Sequence, residues 1–478
     1  MSEVVTNELP EGWELLPLGN LRGSKAKSIN PSDLPDEIFE LYSVPSFTEG
    51  VPEVVSGKEI GSSKRVVEPN TVLLSKINPR INRVWIVGVK SKHRIISSPE
   101  WVEFFPTDKA EPKYLMYFMQ NYKFREHLCM NVTGVGGSLT RIRPKIAEDY
   151  KIPLAPLEQQ KRIVAKIEEL FSHIDAGIEA LKKAKQLLKQ YRQSVLKAAV
   201  TGELTKEWRE ANKDNLEPAS KLLERILKER RKKWEEQQLE QFKAKGKIPK
   251  DEKWKEKYKE PEPLEKIPEN ELPDSWNWVA IGQIFEVYVG ATPSRKITEY
   301  WGKEINWVSS GEVAFCYIKD TKEKITTEGL NNTSTVIHPP GTVMLGMIGE
   351  GKTRGQAAIL DIYAAHNQNT AAIEKHLDEQ STEYLYYYLM QQYELTRKRG
   401  SGNNQKALNK TRVQSIEFPL PPLSEQKLIA ELLQQKFSSI EHLEKDLEIQ
   451  FLKVNKNKQS VLASAFSGRL EKNKVSTI

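Results

Sequence analysis

The feature that most restricts how this chain can fold is that it contains itself twice. Pro153-Leu154-Ala155-Pro156-Leu157-Glu158-Gln159-Gln160 returns as Pro419-Leu420-Pro421-Pro422-Leu423-Ser424-Glu425-Gln426, and Ser194-Val195-Leu196 returns as Ser460-Val461-Leu462. Both motifs recur at an offset of 266 residues, so the length of the segment between them is itself a physical requirement. Leu9-Pro10-Glu11-Gly12-Trp13 returns as Leu272-Pro273-Asp274-Ser275-Trp276 at an offset of 263, so the region before the prolines has drifted in length. Gly202-x-Leu204 and Gly468-x-Leu470 close the two copies. A period this long means two similar structural units.

The constant segment has the pattern of a long helix. Ile163, Ile167, Leu170, Ile174, Gly177, Leu181, Ala184, Leu188, Tyr191, Val195 and Ala198 step by four and three, the seam of a coiled coil. The second copy keeps it more loosely through Ile429, Leu433, Ile440, Leu443, Leu447, Val454 and Val461, with Lys436, Gln450 and Asn457 interrupting. Pro-x-Pro-Leu before each helix stops it from running backward. Two arrangements fit: amphipathic helices packed on separate cores, or two helices paired with each other. The sustained heptads favour pairing. Antiparallel pairing would put the two globular halves at opposite ends of a pseudo-twofold dumbbell.

The globular halves, 14–150 and 277–416, show short apolar runs between turn residues, such as Val72-Leu73-Leu74, Val84 to Val89, Val343-Met344-Leu345 and Ala357 to Leu360. Each then turns helical, at Pro112 to Leu128 and Ser381 to Arg397, and ends in a Gly-rich polar loop. The predicted fold is mixed α/β (α+β), with curved, mostly antiparallel sheets. Between the copies, Ala219 to Phe242 reads as a charged helix and Lys243 to Pro263 as an extended, solvated linker.

Composition removes several classes of function. The 478 residues are 38% apolar and 29% charged, with a mean hydropathy of −0.57, which describes folded cores under a solvated surface. A net charge of +7 permits a polyanionic partner without requiring one. Cys129 and Cys316 are far apart and lack a CxxC pattern, which excludes a disulfide framework and argues against structural zinc. The N-terminal residues are acidic where a signal peptide is basic, and no apolar run reaches the length of a membrane span, so the expected location is cytoplasmic, without a membrane partner.

The Leu-Pro-x-x-Trp opening, the Pro-Leu-x-Pro-Leu-x-x-Gln boundary, the constant-length helices and the exit Ser194-Val195-Leu196 followed by Thr201-Gly202-Glu203-Leu204-Thr205-Lys206-Glu207-Trp208-Arg209 resemble the specificity subunit of Type I restriction–modification enzymes. The resemblance covers nearly the whole chain in order. It implies a non-catalytic, sequence-specific DNA-binding subunit whose two target recognition domains each read one half of a bipartite site in double-stranded DNA. The helices would set the spacer and dock two methyltransferase subunits, with restriction subunits in the full complex. Adenine methylation and ATP-dependent cleavage, with their S-adenosylmethionine, ATP and Mg²⁺, would belong to those partners, and this chain would hold no cofactor. The corresponding division is a first recognition domain at 1–151, a spacer helix at 152–204 and a connector at 205–271. A second recognition domain at 272–417, a second spacer helix at 418–470 and a tail at 471–478 complete it. A helix of about 36 residues is ~54 Å long at ~1.5 Å per residue, and B-DNA advances ~34–36 Å per turn, so such a rod suits grooves about one turn apart or slightly more.

Base edges are read by Arg, Lys, Asn and Gln. In the first half Lys76, Asn78, Arg80, Asn82 and Arg83 lie between two apolar strands, and Ser138, Arg141 and Arg143 lie at the Gly-rich loop. In the second half the candidates are Lys352, Arg354, Gln356, Asn367, Gln368 and Asn369, with Arg399 and Lys406 at the second Gly-rich loop. The plainer alternative is that polar turn residues simply face water.

Gly346-Met347-Ile348-Gly349-Glu350-Gly351-Lys352-Thr353 matches the phosphate-binding pattern G-x-x-x-x-G-K-T, so a P-loop nucleotide-binding protein is one rival reading. That chemistry requires a helix after the loop. Arg354 to Asp361 instead has the pattern of a strand, which predicts a hairpin. A coiled-coil scaffold that binds proteins is the other rival. Methyltransferase, His-rich metal and nucleophile-elbow motifs are missing from the sequence.

Overall fold

The computed structural model describes residues 9–89, 91–133, 140–246, 249, 251–349, 351–398 and 407–470. The chain divides into two compact units, Met1–Ala184 with Asp446–Ile478, and Lys185–Lys445. Neither unit is an uninterrupted copy of the repeat. Each globular half is completed by the start of its own long helix and by the end of the other copy's helix, which accounts for the motifs at both helix ends.

In the first unit Glu14–Pro17 pairs antiparallel with Lys151–Leu154, bringing the Trp13 opening to the proline boundary. A five-stranded sheet runs in the order Ser28–Ile29, Lys64–Val66, Arg94–Ser97, Ile38–Tyr42, Glu53–Ser56, and a three-stranded sheet centres Val72–Ser75 between Val84–Ile86 and Trp101–Phe104. Ile163, Val164 and Ile167 from the first long helix and Leu462, Ala465 and Phe466 from the second share one core with Trp13, Tyr114 and Phe118.

The second unit repeats this plan. Asn277–Ala280 pairs with Glu417–Leu420. Its larger sheet has the order Phe285–Val289, Thr370–Lys375, Val343–Gly346, Ala357–Leu360, Cys316–Ile318, beside a four-stranded sheet. Val195, Leu196, Ala199 and Val200 of the first long helix meet Ile429, Leu433, Phe437 and Ile440 of the second within its core. Most strand pairs are antiparallel; Ile38–Tyr42 with Arg94–Ser97, Ile305–Val308 with Ala364–His366, and Cys316–Ile318 with Ala357–Leu360 are parallel.

The long helices are Leu157–Val200, of 44 residues, and Leu423–Ala465, of 43, longer than the heptads alone suggest. At ~1.5 Å per residue each measures roughly 65 Å. Both begin directly after a proline, and both use a buried glutamine to fasten the first turn. Gln160 Nε2 donates to Ala155 O at 2.7 Å while its Oε1 accepts from Glu111 N. Gln426 Nε2 donates to Pro421 O at 2.9 Å while its Oε1 accepts from Ser381 N. Within each unit the two helices run antiparallel. In the first, Asp175 pairs with Lys458 at 2.6 Å, while the earlier Ile163 and Ile167 share the core with the later Leu462 and Phe466. In the second, Arg192 pairs with Glu444 at 3.3 Å and lies over the Phe437 ring.

Four details differ from the sequence reading. Tyr191 and Leu443, assigned to the seam, are exposed, because Arg192 with Glu444 and the buried Phe437 occupy that stretch. The helices predicted over 112–128 and 381–397 are each broken in two, at Pro112–Met119 with Tyr122–Met130 and Thr382–Gln391 with Tyr393–Lys398; Asn121 caps a new start by accepting from Lys123 N. The connector helix Ala219–Ala244 buries Ala219, Leu222 and Ile226 in the second core. Finally, the linker is not extended: Trp254 and Tyr258 fold back onto Trp234, with ring centroids 6.1 and 5.3 Å away. Both cysteines are free, and no helix of the described residues is long and apolar enough to cross a membrane.

Candidate nucleic-acid interface

In the first unit the strand Val72–Ser75 leads into a loop that the segment after the Gly-rich loop clamps. Ile142 N–H donates to Lys76 O at 2.9 Å, Asn78 N–H donates to Thr140 O at 2.8 Å, and Ile77 bridges to Arg141. Residues 76–78 and 140–142, over sixty positions apart, therefore form one surface.

The clamp divides the candidates by role. Asn78 adopts a left-handed backbone at φ 47°, and its Oδ1 accepts from Thr140 N at 3.2 Å and from Thr140 Oγ1, so it shapes the loop. Lys76 turns inward onto Pro99 O. Burial holds its ammonium below the ordinary lysine range, against the pull of Glu100 and Glu103. Arg83 leans toward Ile77 O at 3.5 Å, and Arg141 pairs with Glu100 at 2.8 Å. Arg80 and Arg143 are exposed with no ion pair among the described residues, and Asn82 is half-buried. Ser138 lies outside the described residues.

The second unit builds its surface the same way. Leu408 N–H donates to Met347 O at 3.0 Å, the counterpart of the Ile142–Lys76 bond, and Met347 N–H donates to Asn369 O at 2.9 Å. Lys352 is exposed at the hairpin, with its carbonyl fixed by the Tyr393 hydroxyl at 2.7 Å. Arg354 donates to Arg397 O at 3.3 Å, and Gln356 is half-buried where the hairpin closes. Asn367 is buried, and its Oδ1 accepts from Asn369 N at 3.0 Å, so it forms the turn that leaves Gln368 exposed. Asn369 is half-buried behind it. Arg399 and Lys406 lie outside the described residues.

Two exposed cations escaped the sequence reading. Asn409 caps Lys410–Gln414 as Arg143 precedes Pro144–Glu148, at the same offset of 266, and that helix carries Lys410 and Arg412 onto the surface. The repeat spacing was the signal that pointed to them.

The nucleotide reading fails on local geometry. Gly346 N–H donates to Gln356 O at 2.8 Å and Gly346 O accepts from Gly355 N–H at 2.8 Å across a hairpin, and Leu345 faces Ala357 in the ladder. Thr353 thus leads into the strand Ala357–Leu360, where a P-loop needs a helix N-terminus to hold phosphate.

Comparison with known proteins agrees with this architecture. Residues 273–451 match the Type I restriction modification DNA specificity domain. The MjaIX specificity subunit of Methanocaldococcus jannaschii is 31% identical over 202 residues, covering 41% of this chain and 44% of that protein. The StySPI specificity subunit of Salmonella potsdam is 22% identical, covering 97% of this chain and 90% of that protein. The match spans about half of the MjaIX and EcoKI subunits and 66% of the EcoDI subunit. Among solved structures, the HsdS subunit from Thermoanaerobacter tengcongensis has a TM-score of 0.61 at 18% identity, covering 97% of this chain and 99% of that chain. A chain from a study of complex assembly and conformational transition of the type I R-M system reaches 0.68 at 19%, with the same coverage of both chains. The chain thus shares its fold along 97% of its length with solved Type I specificity subunits, and its residues 273–451 are similar to the Type I restriction modification DNA specificity domain.

Proposed function

We propose that this subunit reads a bipartite site in double-stranded DNA, one half-site with each globular half, and that its paired helices set the gap and dock two methyltransferase subunits. The observation that carries this reading is the duplicated surface: the Ile142–Lys76 and Leu408–Met347 bonds build the same clamped loop twice, each beside exposed cations. Phosphate neutralisation by Arg80, Arg143, Lys352 and Lys410 supplies affinity and salt dependence, while clamped loops hold side chains steady enough to read bases. Methylation and cleavage, with S-adenosylmethionine, ATP and Mg²⁺, belong in this reading to the methyltransferase and restriction subunits, acting in the cytoplasm.

The test is selection of bound duplexes from a random pool, using this chain co-expressed with its methyltransferase subunit. Two short motifs at one fixed gap are expected. An assembled complex that enriches no sequence overturns the reading in favour of a protein-binding scaffold. Inserting one heptad into both helices should lengthen the gap and leave both motifs unchanged; altered motifs would refute the division of labour.

A further inference from the structure

We propose that the turn Asn78–Ile81 reads a thymine, with the Ile81 side chain packing on the thymine C5 methyl group in the major groove; this rests on the DNA-recognition reading above.

The turn is held from three sides. Its first residue is fixed by the Asn78 N–H bond to Thr140 O and by Thr140 N–H returning to Asn78 Oδ1. It closes on itself through Ile81 N–H to Asn78 O at 2.8 Å. Pro79 is buried and locks φ at its own position. The side chains on either side of the turn are tied down, Lys76 to Pro99 O and Arg83 toward Ile77 O. What remains presented is Arg80, exposed, and Ile81, 52% exposed.

A single exposed aliphatic residue is ordinary on a protein surface. Ile81 differs in being β-branched, hence stiff at χ1, and in standing on an anchored turn between Arg80 and Asn82. Arg80 draws the turn to DNA through phosphate charge, which carries no sequence information. Ile81 has no hydrogen-bonding group, so it cannot read donors or acceptors. The thymine methyl is the apolar feature that a major groove offers to such a side chain. A rigid apolar tip therefore selects for that methyl group and desolvates it.

The test uses the complex with its methyltransferase subunit and the duplex found by selection. Each thymine of the first half-site is replaced in turn by uracil, which removes the methyl and keeps every hydrogen-bonding group. One position is expected to lose about fourfold in affinity, the value of one buried methyl-sized group. In Ile81→Ala and Ile81→Ser, uracil and thymine at that position should bind equally well, while sensitivity to mismatches elsewhere persists. A uracil penalty at no position, the same penalty in both variants, or a half-site without an A·T pair would overturn the proposal and leave the recognition reading standing. Loss of all sequence preference in the unmodified complex would remove both.

Discussion

Arg209 and Glu425 form a buried ion pair, Nη1 to Oε1 at 2.7 Å, that ties the exit of the first long helix to the entry of the second. Glu425 is fully buried and also accepts from Thr205 Oγ1 at 2.6 Å and from Trp276 Nε1 at 2.8 Å. In the first unit the equivalent position holds Gln159, a neutral side chain that accepts from Trp13 Nε1 at 3.0 Å. The two closures share geometry and differ in charge.

Removing Arg209 strands a carboxylate in the core, so Arg209→Ala should cost about 3–5 kcal/mol. The double substitution Arg209→Gln with Glu425→Gln installs the neutral solution of the first unit and should recover most of that loss. Urea unfolding of the full chain measures both. Equal losses would mean that the packing of Arg209 on Trp276, 5.9 Å away, matters more than its charge.

The glycines that end the long helices make a second matched pair. Gly202 and Gly468 have φ of 78° and 70°, and an added Cβ would lie 2.5 Å from Pro273 Cγ and 2.1 Å from Pro10 Cγ. Alanine at either site combines left-handed strain with a collision and should cost about 1–3 kcal/mol. Gly246, with φ 63° and nothing near its missing Cβ, is the control, and its alanine variant should show the strain alone. Thermal unfolding of the three variants separates the two contributions.

These contacts show why the repeat was legible in the sequence and its closure was not. Pro10, Trp13, Gln160 and Gly202 recur because each fills a place that exists twice, so spacing alone exposed them. That Gly468 meets Pro10 and Gly202 meets Pro273 is a contact between distant segments, which no local pattern encodes. The heptads predicted the long helices and misplaced Tyr191 and Leu443, because Arg192 and Glu444 use their charge to occupy that stretch. At the candidate interface, polarity marked the right loops without saying which side chains face out. Lys76 and Asn78 have the same chemistry as a base reader, yet burial and the φ of Asn78 commit them to holding the loop. The linker was misread because Trp254 and Tyr258 look like isolated aromatics until Trp234 is placed beside them.

The second unit should also lose stability in mild acid. Burial, reinforced by the neighbouring His338, pushes His366 down to about 3, and burial with Arg230 and Lys233 pushes His376 down to about 4. Both are neutral in the fold. Above the ordinary histidine value of 6.5 the unfolded chain is neutral there too, and stability does not depend on pH through these groups. Below 6.5 the unfolded chain binds protons that the folded one refuses, so stability falls as pH falls, down to about 4 for His376 and about 3 for His366. Carboxylates join at lower pH, so the window from about 6.5 to 5 reports mainly on histidine. Urea midpoints should match at pH 8 and 7 and then decline through that window. His376→Gln keeps a neutral polar group beside Arg230 and Lys233 and should make the decline shallower. If the wild type and the variant fell in parallel, His376 would not be a source of the acid sensitivity.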